Sequence, residues 1–232
     1  MENEFVQVSN LHRNFGEGDA SQSVLLGVSL SINKGETIAL LGRSGSGKST
    51  LLNVISGIDQ ADTGVVVVDG IDLTALSEHE RTLFRRRHIG FIYQFFNLIP
   101  TLTASENVAL VLELNGYTPT QTREKTDHLI RAVGLENQKN KLPDQMSGGE
   151  QQRVAIARAL VHSPKLVLAD ELTGNLDAES GQKILTLLQQ LMVESGGTLF
   201  LVTHSLAVAK TADRILTLED GLLIEREGHF AW

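Results

Sequence analysis

The chain of 232 residues contains no cysteine, only four prolines and few aromatic residues, which make up 5% of it. The absence of cysteine excludes disulfides, thiolate zinc sites, iron–sulfur clusters and cysteine nucleophiles, and it suits a reducing compartment. No basic tract is dense enough to bind nucleic acid, because the nearest, residues 81–88, is short. We interpret that cluster as a solvated helix face and expect no nucleic-acid partner.

Long hydrophobic runs are also absent, since no apolar stretch approaches the roughly 20 residues that span a bilayer. The N-terminal segment MENEFVQVSN lacks the basic and apolar regions of a signal peptide, so we expect no such leader. Apolar residues nevertheless make up 41% of the chain, which at this length allows a sizeable core. Work at a membrane would therefore require other subunits to hold the protein there.

Short apolar runs alternate with amphipathic stretches, which indicates an α/β fold with a parallel or mixed sheet. Strands are predicted at residues 5–8, 24–32, 37–41, 65–68, 89–93, 166–169, 198–202, 215–218 and, after the hairpin signal Asp220-Gly221, 222–225. Helices are predicted at residues 48–57, 104–115, 121–133, 149–161 and 178–194. No strand is predicted between residues 100 and 143, which we interpret as a helical subdomain inserted into the core.

A complete phosphate-binding motif lies between a predicted strand and a predicted helix. Its residues are Gly42, Arg43, Ser44, Gly45, Ser46, Gly47, Lys48, Ser49 and Thr50. Glycines let backbone N–H groups point at phosphate oxygens, and the following helix presents its positive end. We expect Lys48 to reach the β- and γ-phosphates, Ser49 to bind Mg²⁺ and Thr50 to support the α/β-phosphate region. The loop predicts binding of a nucleoside triphosphate.

Two carboxylates, Asp170 and Glu171, follow the apolar strand predicted at residues 166–169. Ligands bind at the carboxyl ends of strands in such sheets. Alone, the pair would more often be a turn or a helix cap. Beside a phosphate loop, Asp170 suits a Mg²⁺ anchor and Glu171 a general base.

A second glycine loop, Ser147-Gly148-Gly149, opens an amphipathic helix that ends before Ser163-Pro164. Ser147 is a good N-cap, and the glycines expose amide donors for an anion. By itself the segment would be an ordinary helix cap. Because one nucleotide does not need two phosphate cradles from one chain, its place just before the acidic strand favours a functional role.

Together these segments resemble the ATPase subunits of ABC transporters over nearly the whole chain. SGGEQQRVAIARAL resembles the signature, ALLGRSGSGKSTLL the Walker A segment, LVLADE the Walker B segment and Gly174-Asn175-Leu176-Asp177 the D-loop. Gln94 resembles the Q-loop glutamine, His204 the switch histidine and Phe15 the aromatic that stacks on adenine. The longer runs are most similar to the lipoprotein-releasing and macrolide-export branch, with the related cell-division ATPase.

The resemblance implies a P-loop NTPase of the ABC ATPase type, with a mixed central sheet, an antiparallel N-terminal β-subdomain and an inserted helical subdomain. It implies a single domain over residues 1–232, with a core at 1–93 and 164–232 and a helical subdomain at about 95–163. Its cofactors would be ATP and Mg²⁺, the metal being held by Ser49, Gln94 and Asp170. Lys48, Gln94, Glu171 and His204 would serve ATP hydrolysis.

The resemblance further implies that two chains dock head-to-tail when ATP binds. Ser147, Gly148 and Gly149 of one chain would close over ATP on Lys48 of the other, with Asp177 at the seam. Polytopic membrane permease subunits would hold this pair at the cytoplasmic face of the inner membrane. ATP hydrolysis would then drive export, lipoprotein release or mechanotransmission.

Three residues depart from the family pattern. Leu172 follows Glu171 where proline is usual, and it permits the turn without enforcing it, so we expect ATP binding with unchanged or impaired hydrolysis. Met146 and Glu150 replace the commoner Leu and Gln, with little effect expected. The alternative is therefore a regulatory binding module with impaired hydrolysis, as in a cell-division-type ABC ATPase.

Other nucleotide-binding classes lack support in this chain. A guanine-nucleotide switch needs an Asn/Thr-Lys-x-Asp motif, and residues 137–140 lack the aspartate. A small-molecule kinase would not need the second glycine loop together with Gln94 and His204. A DNA-repair ATPase would carry a long coiled-coil insertion, and a ribosome-acting one would usually carry two such domains.

Overall fold

The computed structural model describes residues 4–16 and 22–225. The chain divides into two compact units, the first formed by Met1–Arg85 with Thr198–Trp232 and the second by Arg86–Gly197. Part of the segment inspected for a signal peptide, residues 1–3, and the last residues of the predicted core, 226–232, lie outside the described residues. The predicted division into a core and a helical subdomain stays a prediction.

The first unit contains an antiparallel sheet near its N-terminus. Its strands lie in the order β2-β1-β4-β5, with the bounds β1 (Glu4–Phe15), β2 (Gln22–Asn33), β4 (Thr63–Val68) and β5 (Ile71–Asp72). Strand β1 continues beyond the predicted residues 5–8, through register shifts between Val8 and Leu11. Such bulges break the alternation of buried and exposed residues, which explains why the sequence pattern predicts a shorter strand.

A mixed arrangement of strands follows in the same unit, built around the buried strand β3 (Thr37–Leu41). Strand β3 pairs in parallel with β8 (Thr198–Thr203) and with β9 (Arg214–Glu219). Strand β10 (Leu222–Glu225) returns antiparallel to β9 through Asp220 and Gly221. Both turn residues have positive φ, 49° and 76°, as a two-residue type I′ hairpin requires. The predicted hairpin is confirmed.

Among the described residues of this unit, three α-helices begin: α1 (Lys48–Ile55), α2 (Glu78–His88) and α7 (Leu206–Ala209). Helix α2 carries the basic cluster, and the expectation of a solvated face is wrong for Arg81, which is 7% exposed. Its guanidinium donates to the carbonyl of Leu76 at 2.9 Å, and Arg85 donates to the carbonyl of Gly57. Arginine side chains bury their stems while their charged ends satisfy backbone carbonyls, so basic composition alone misjudged this face.

The second unit contains the parallel pair β6 (Ile89–Ile92) and β7 (Leu166–Asp170) with four helices. The helices are α3 (Ala104–Leu114), α4 (Pro119–Ala132), α5 (Gly148–Leu160) and α6 (Ala178–Ser195). Helix α3 buries Ala104, Val108 and Leu112, one every four residues, and packs on α4 and α5. As predicted, residues 100–143 contain helices and no strand.

Candidate functional site

The phosphate-binding motif connects β3 to α1 in the first unit. Gly47 is the N-cap of α1, with φ 97°, and no side chain caps this helix. Glycine has no side chain that could cap the first N–H groups of the helix, in contrast to Ser, Thr, Asp or Asn at this position. A helix start of this kind presents amide donors and the positive helix end to an anion.

Close packing requires glycine at both ends of this loop. A Cβ on Gly42 would lie 2.6 Å from the Ser46 hydroxyl oxygen and 2.8 Å from the Leu218 carbonyl oxygen. A Cβ on Gly47 would lie 2.8 Å from Cγ1 of Val24. These distances are below any real Cβ contact, so the fold itself demands glycine at these positions.

Lys48 is 6% exposed, although it carries a charge. Its Nζ donates to the carbonyl oxygens of Gly42 at 2.9 Å and Arg43 at 2.8 Å. These carbonyls hold the ammonium against the loop itself. A buried ammonium prearranged in this way is suited to a phosphate, because both loop and ligand offer oxygen acceptors.

A cavity of about 750 Å³ lies beside the loop in the first unit. It is lined by residues 43–46 of the loop, residues 22–24 of β2 and residues 218–221 of the β9–β10 hairpin. This volume falls in the range of small-molecule sites.

His204 follows β8 directly, as Gly42 follows β3. The register pairs Leu41 with Thr203, so His204 and the phosphate loop leave the same edge of the sheet on neighbouring parallel strands. The His204 side chain is exposed. The structure thus brings this predicted residue to the edge that carries the phosphate loop.

Phe15 is the last residue of β1, and 43% of it is exposed. The guanidinium carbon of Arg13 lies 4.7 Å from the centroid of its ring. An exposed aromatic ring at a strand end offers a flat apolar surface to a stacking partner.

The second unit brings together Gln94, Asp170 and Glu171. The register pairs Ile92 with Ala169, so Gln94 follows the end of β6 while Asp170 ends β7 and Glu171 follows it. A Cβ built on Gly174 would lie 3.3 Å from the Gln94 side-chain nitrogen and 3.5 Å from a Glu171 carboxylate oxygen. The two side chains therefore share one small region beside the D-loop glycine.

Glu171 adopts a positive φ of 47°, which is uncommon for a residue with a side chain. A proline at position 172 would push residue 171 towards extended angles. Leu172, which is buried, leaves the left-handed conformation open. The departure from the family pattern thus coincides with an unusual backbone conformation at the carboxylate.

Asp177 is the N-cap of α6 and accepts the N–H of Ser180 at 3.0 Å. Hydrogen bonds from the side chain and then from the backbone N–H of Ser180 hold the pKa of this carboxyl below its ordinary value. Asp177 is exposed at the end of the D-loop. Asn175 in the same loop donates to the carbonyl of Gln94 at 2.6 Å, a link that the motifs did not predict.

The second glycine loop begins α5, and Ser147 is its N-cap, as predicted. Ser147 accepts the N–H of Glu150 at 3.3 Å, and the Glu150 carboxylate accepts the N–H of Ser147 at 2.7 Å and its hydroxyl at 2.9 Å. This is a reciprocal capping box. The backbone hydrogen bond from Ser147 lowers the pKa of Glu150. Glu150 thus contacts the loop directly, a role that the spacing Ser147-x-x-Glu150 could have indicated.

Similarity to known proteins decides the family. The profile of the family described as ABC transporter matches residues 25–174, more than half of the chain. The chain belongs to the ABC transporter family. It is a nucleotide-binding subunit that binds and hydrolyses ATP, and its fold is that of the ABC ATPases.

Two relatives and one solved structure define the branch and the fold of this ABC ATPase. It is 44% identical to the lipoprotein-releasing system ATP-binding protein LolD of Shewanella frigidimarina, covering 94% of this chain and 91% of LolD. It is 45% identical to the macrolide export ATP-binding/permease protein MacB of Rhodopirellula baltica, covering 95% of this chain and 32% of MacB. The predicted LolD/MacB-like branch is confirmed.

A dimeric structure of the ATP-binding cassette MJ0796 bound to ADP and Pi matches this ABC ATPase with a TM-score of 0.87. The two are 40% identical, and the match covers 97% of this chain and 100% of that chain. The predicted fold class, an α/β fold of the ABC ATPase type, is therefore confirmed. Among residues 4–16 and 22–225, no helix has the length and apolar character needed to cross a membrane.

Sequence reasoning missed the residues that support Phe15 in this ABC ATPase. Arg13 precedes Phe15 by two residues in β1, and in a strand this spacing places both side chains on the same face. Its carboxylate partners, Asp59 and Asp62, lie more than forty residues further along the chain, in no motif. No sequence signal connects them to Phe15.

Proposed function

We propose that this ABC ATPase powers export or lipoprotein release through separate membrane subunits. The observation that carries the proposal is the grouping of Gln94, Asp170 and Glu171 at one edge of the β6–β7 pair. A module that only binds nucleotide would need Gln94 and Asp170 for the metal ion, but it would have no need of Glu171 as a general base beside them. The similarity to LolD over nearly the whole of both chains supports the transport role.

We assign the phosphate-binding residues as in related P-loop proteins. Backbone N–H groups of Gly42, Arg43, Ser44, Gly45, Ser46 and Gly47 and of Lys48, Ser49 and Thr50 cradle the phosphates, and Phe15 stacks on adenine. Lys48 neutralises the β- and γ-phosphates. This assignment is supported by the conformation of the loop in the first unit and by the start of α1, where no N-cap side chain competes for the N–H groups.

Hydrolysis falls to Glu171, which accepts a proton from the attacking water, while His204 contacts the γ-phosphate and Gln94 senses it. Mg²⁺ fits the donor set proposed for it, because Ser49, Gln94 and Asp170 offer hydroxyl, amide and carboxylate oxygens, the hard ligands that this ion prefers. When bound, the ion neutralises charge on the phosphate oxygens.

The signature loop serves a second copy of the chain. Ser147, Gly148 and Gly149 close over the nucleotide held by the other subunit, and Asp177 lies at the seam of this head-to-tail homodimer. The dimeric structures of the related cassette MJ0796 support this pairing. Polytopic permease subunits hold the pair at the cytoplasmic face of the inner membrane, and the helical subdomain at about 95–163 transmits movement to them.

Replacing Glu171 with Gln tests the assignment of the general base. We expect ATPase turnover to fall by about 10²–10⁴-fold, the usual contribution of a general base, while ATP binding is retained. Turnover and equilibrium ATP binding are measured on the purified chain. Glu179→Gln on the exposed face of α6 is the matched control and should be neutral.

Undiminished turnover in the Glu171→Gln variant would show that another group activates the water. Loss of ATP binding in that variant would show a structural role instead. A wild-type chain that binds ATP without turnover would favour the regulatory module. Purification of the tagged chain from membranes of its source, with identification of the polytopic proteins that accompany it, tests the transport role.

A further inference from the structure

One face of the Phe15 ring is covered by a cation that is itself held in place. The Arg13 guanidinium lies 4.7 Å from the ring centroid. Its two terminal nitrogens donate to different carboxylates, one to Asp62 and the other to Asp59, both at 2.9 Å. Two ion pairs from one guanidinium fix its plane and position more firmly than a single surface pair would.

A second chain of hydrogen bonds connects this cluster to the cavity beside the phosphate loop. Asp62 accepts the backbone N–H of Asn14 at 2.6 Å and its side-chain amide at 2.9 Å. Asn14 in turn accepts the hydroxyl of Ser23 at 2.6 Å, and Ser23 lines the cavity. The hydrogen bond from the Asn14 backbone lowers the pKa of Asp62, so its charge persists well into acidic solution.

We propose that Arg13 is a positioning residue for the purine base, acting through Phe15. The inference rests on the proposed stacking of adenine on Phe15 and deepens it. With the guanidinium on one face, the ring presents its other face to the ligand. Arg13 and its carboxylates thus prepare a base-stacking surface before the nucleotide arrives.

Two physical effects give this arrangement its value. A cation over an aromatic face draws π-electron density towards itself, so the opposite face repels an electron-rich purine less. A ring already held in one orientation also loses less conformational entropy when the base stacks on it. Both effects act on the base and leave the phosphates untouched.

The test compares a ligand that has a base with one that has none. Arg13→Met keeps the length of the stem and removes the charge. We expect the dissociation constant for ATP to rise about two- to threefold, because only the part of the cation–π free energy that differs between the free and the bound protein changes the affinity. The dissociation constant for inorganic tripolyphosphate, measured under the same conditions, should stay unchanged. Arg13→Lys, which keeps the charge and loses the planar fork, should recover part of the lost affinity.

A double-mutant cycle separates positioning from general structure. In a Phe15→Leu background, Arg13→Met should cause no further loss of ATP affinity, because the ring through which it acts is gone. Lys125→Met removes the cation over the ring of Tyr117, in the second unit, and serves as the matched control with unchanged ATP affinity.

Each alternative result overturns the inference in a recognisable way. Unchanged ATP affinity in Arg13→Met, or an equal loss in the Phe15→Leu background, excludes action through the ring. Parallel loss of tripolyphosphate binding would show that Arg13 supports the folded loop or its long-range field. A wild-type chain that binds neither ligand would instead overturn the proposed function itself.

Discussion

The two glycine loops both precede a helix, but they differ in how much space surrounds their glycines. Within the first unit, a Cβ on Gly47 would lie 2.8 Å from Val24, and the φ of 97° disfavours any side chain. In the second unit, a Cβ on Gly148 would have its nearest described neighbour at 3.6 Å, and one on Gly149 at 4.0 Å. The first loop needs its glycines to fold, whereas the second has room for side chains in the single chain.

The helix starts differ in the same sense. The start of α1 has no side-chain cap, while the start of α5 is closed by the capping box of Ser147 and Glu150. In the single chain, the hydroxyl and backbone N–H of Ser147 are thus engaged by a carboxylate from the same helix. The start of α1 is therefore open to the phosphate of a bound nucleotide. The start of α5 is already occupied by the carboxylate of Glu150 from the same chain.

This difference supports the proposal that the second loop serves a partner. No contact among the described residues of the single chain requires glycine at positions 148 and 149. Glycines at such positions suit a surface that another molecule must approach closely. In the single chain the carboxylate of Glu150 holds this loop in shape by accepting the N–H and the hydroxyl of Ser147. Three substitutions test this comparison.

Gly47→Ala should have the largest effect. The backbone at this position is left-handed, which disfavours any side chain, and the added methyl group would clash with Val24. We therefore expect the free energy of unfolding to fall by about 2–4 kcal/mol. ATP binding should be lost even in the single chain. Denaturant unfolding and equilibrium ATP binding measure the two effects. Normal ATP binding in this variant would mean that the loop adapts more readily than its packing indicates.

Gly149→Ala should leave the folding and ATP binding of the single chain intact and impair the ATP-bound homodimer. We expect unchanged ATP binding and a free energy of unfolding equal to or up to about 1 kcal/mol above that of the wild type, since alanine favours helix. Turnover should fall about a hundredfold, the cost of a displacement of about 1 Å at a reacting centre.

ATP-dependent dimerisation of the Gly149→Ala chain should be lost as well, measured by sedimentation with Glu171→Gln present to prevent hydrolysis. If the variant pairs and turns over normally, the second loop has no close partner. If it fails to bind ATP as a single chain, the contrast between the loops is wrong.

Glu150→Gln should have the smallest effect, and it should strengthen ATP-dependent dimerisation rather than weaken it. A glutamine preserves the capping box and removes the charge that would face a phosphate, so ATP-dependent dimers should tighten about two- to fivefold. Glu106→Gln is the matched control, because Glu106 forms the same box with Thr103 at the start of α3. Equal changes in both variants would reflect helix capping alone.

Local patterns predicted the parts of the site that lie within a few residues of each other. The phosphate loop, the acidic pair at the end of β7, the Ser147 cap and the Asp220-Gly221 hairpin are each specified by short-range backbone chemistry. The buried state of Arg81 was mispredicted, because it depends on the carbonyl group of Leu76 and on packing against Gly57, which lies more distant in the chain. The cluster around Phe15 was missed for the same reason.

The sequence by itself determined the family, the nucleotide and the residue types that handle phosphate, because these reside in contiguous motifs with characteristic spacing. Tertiary structure decided which glycines the fold requires, the left-handed backbone at Glu171, and the carboxylates that fix Arg13 over Phe15. Those features depend on atoms brought together from distant positions in the chain. Steric contact and ion pairing act through space, so spacing along the sequence does not reveal them.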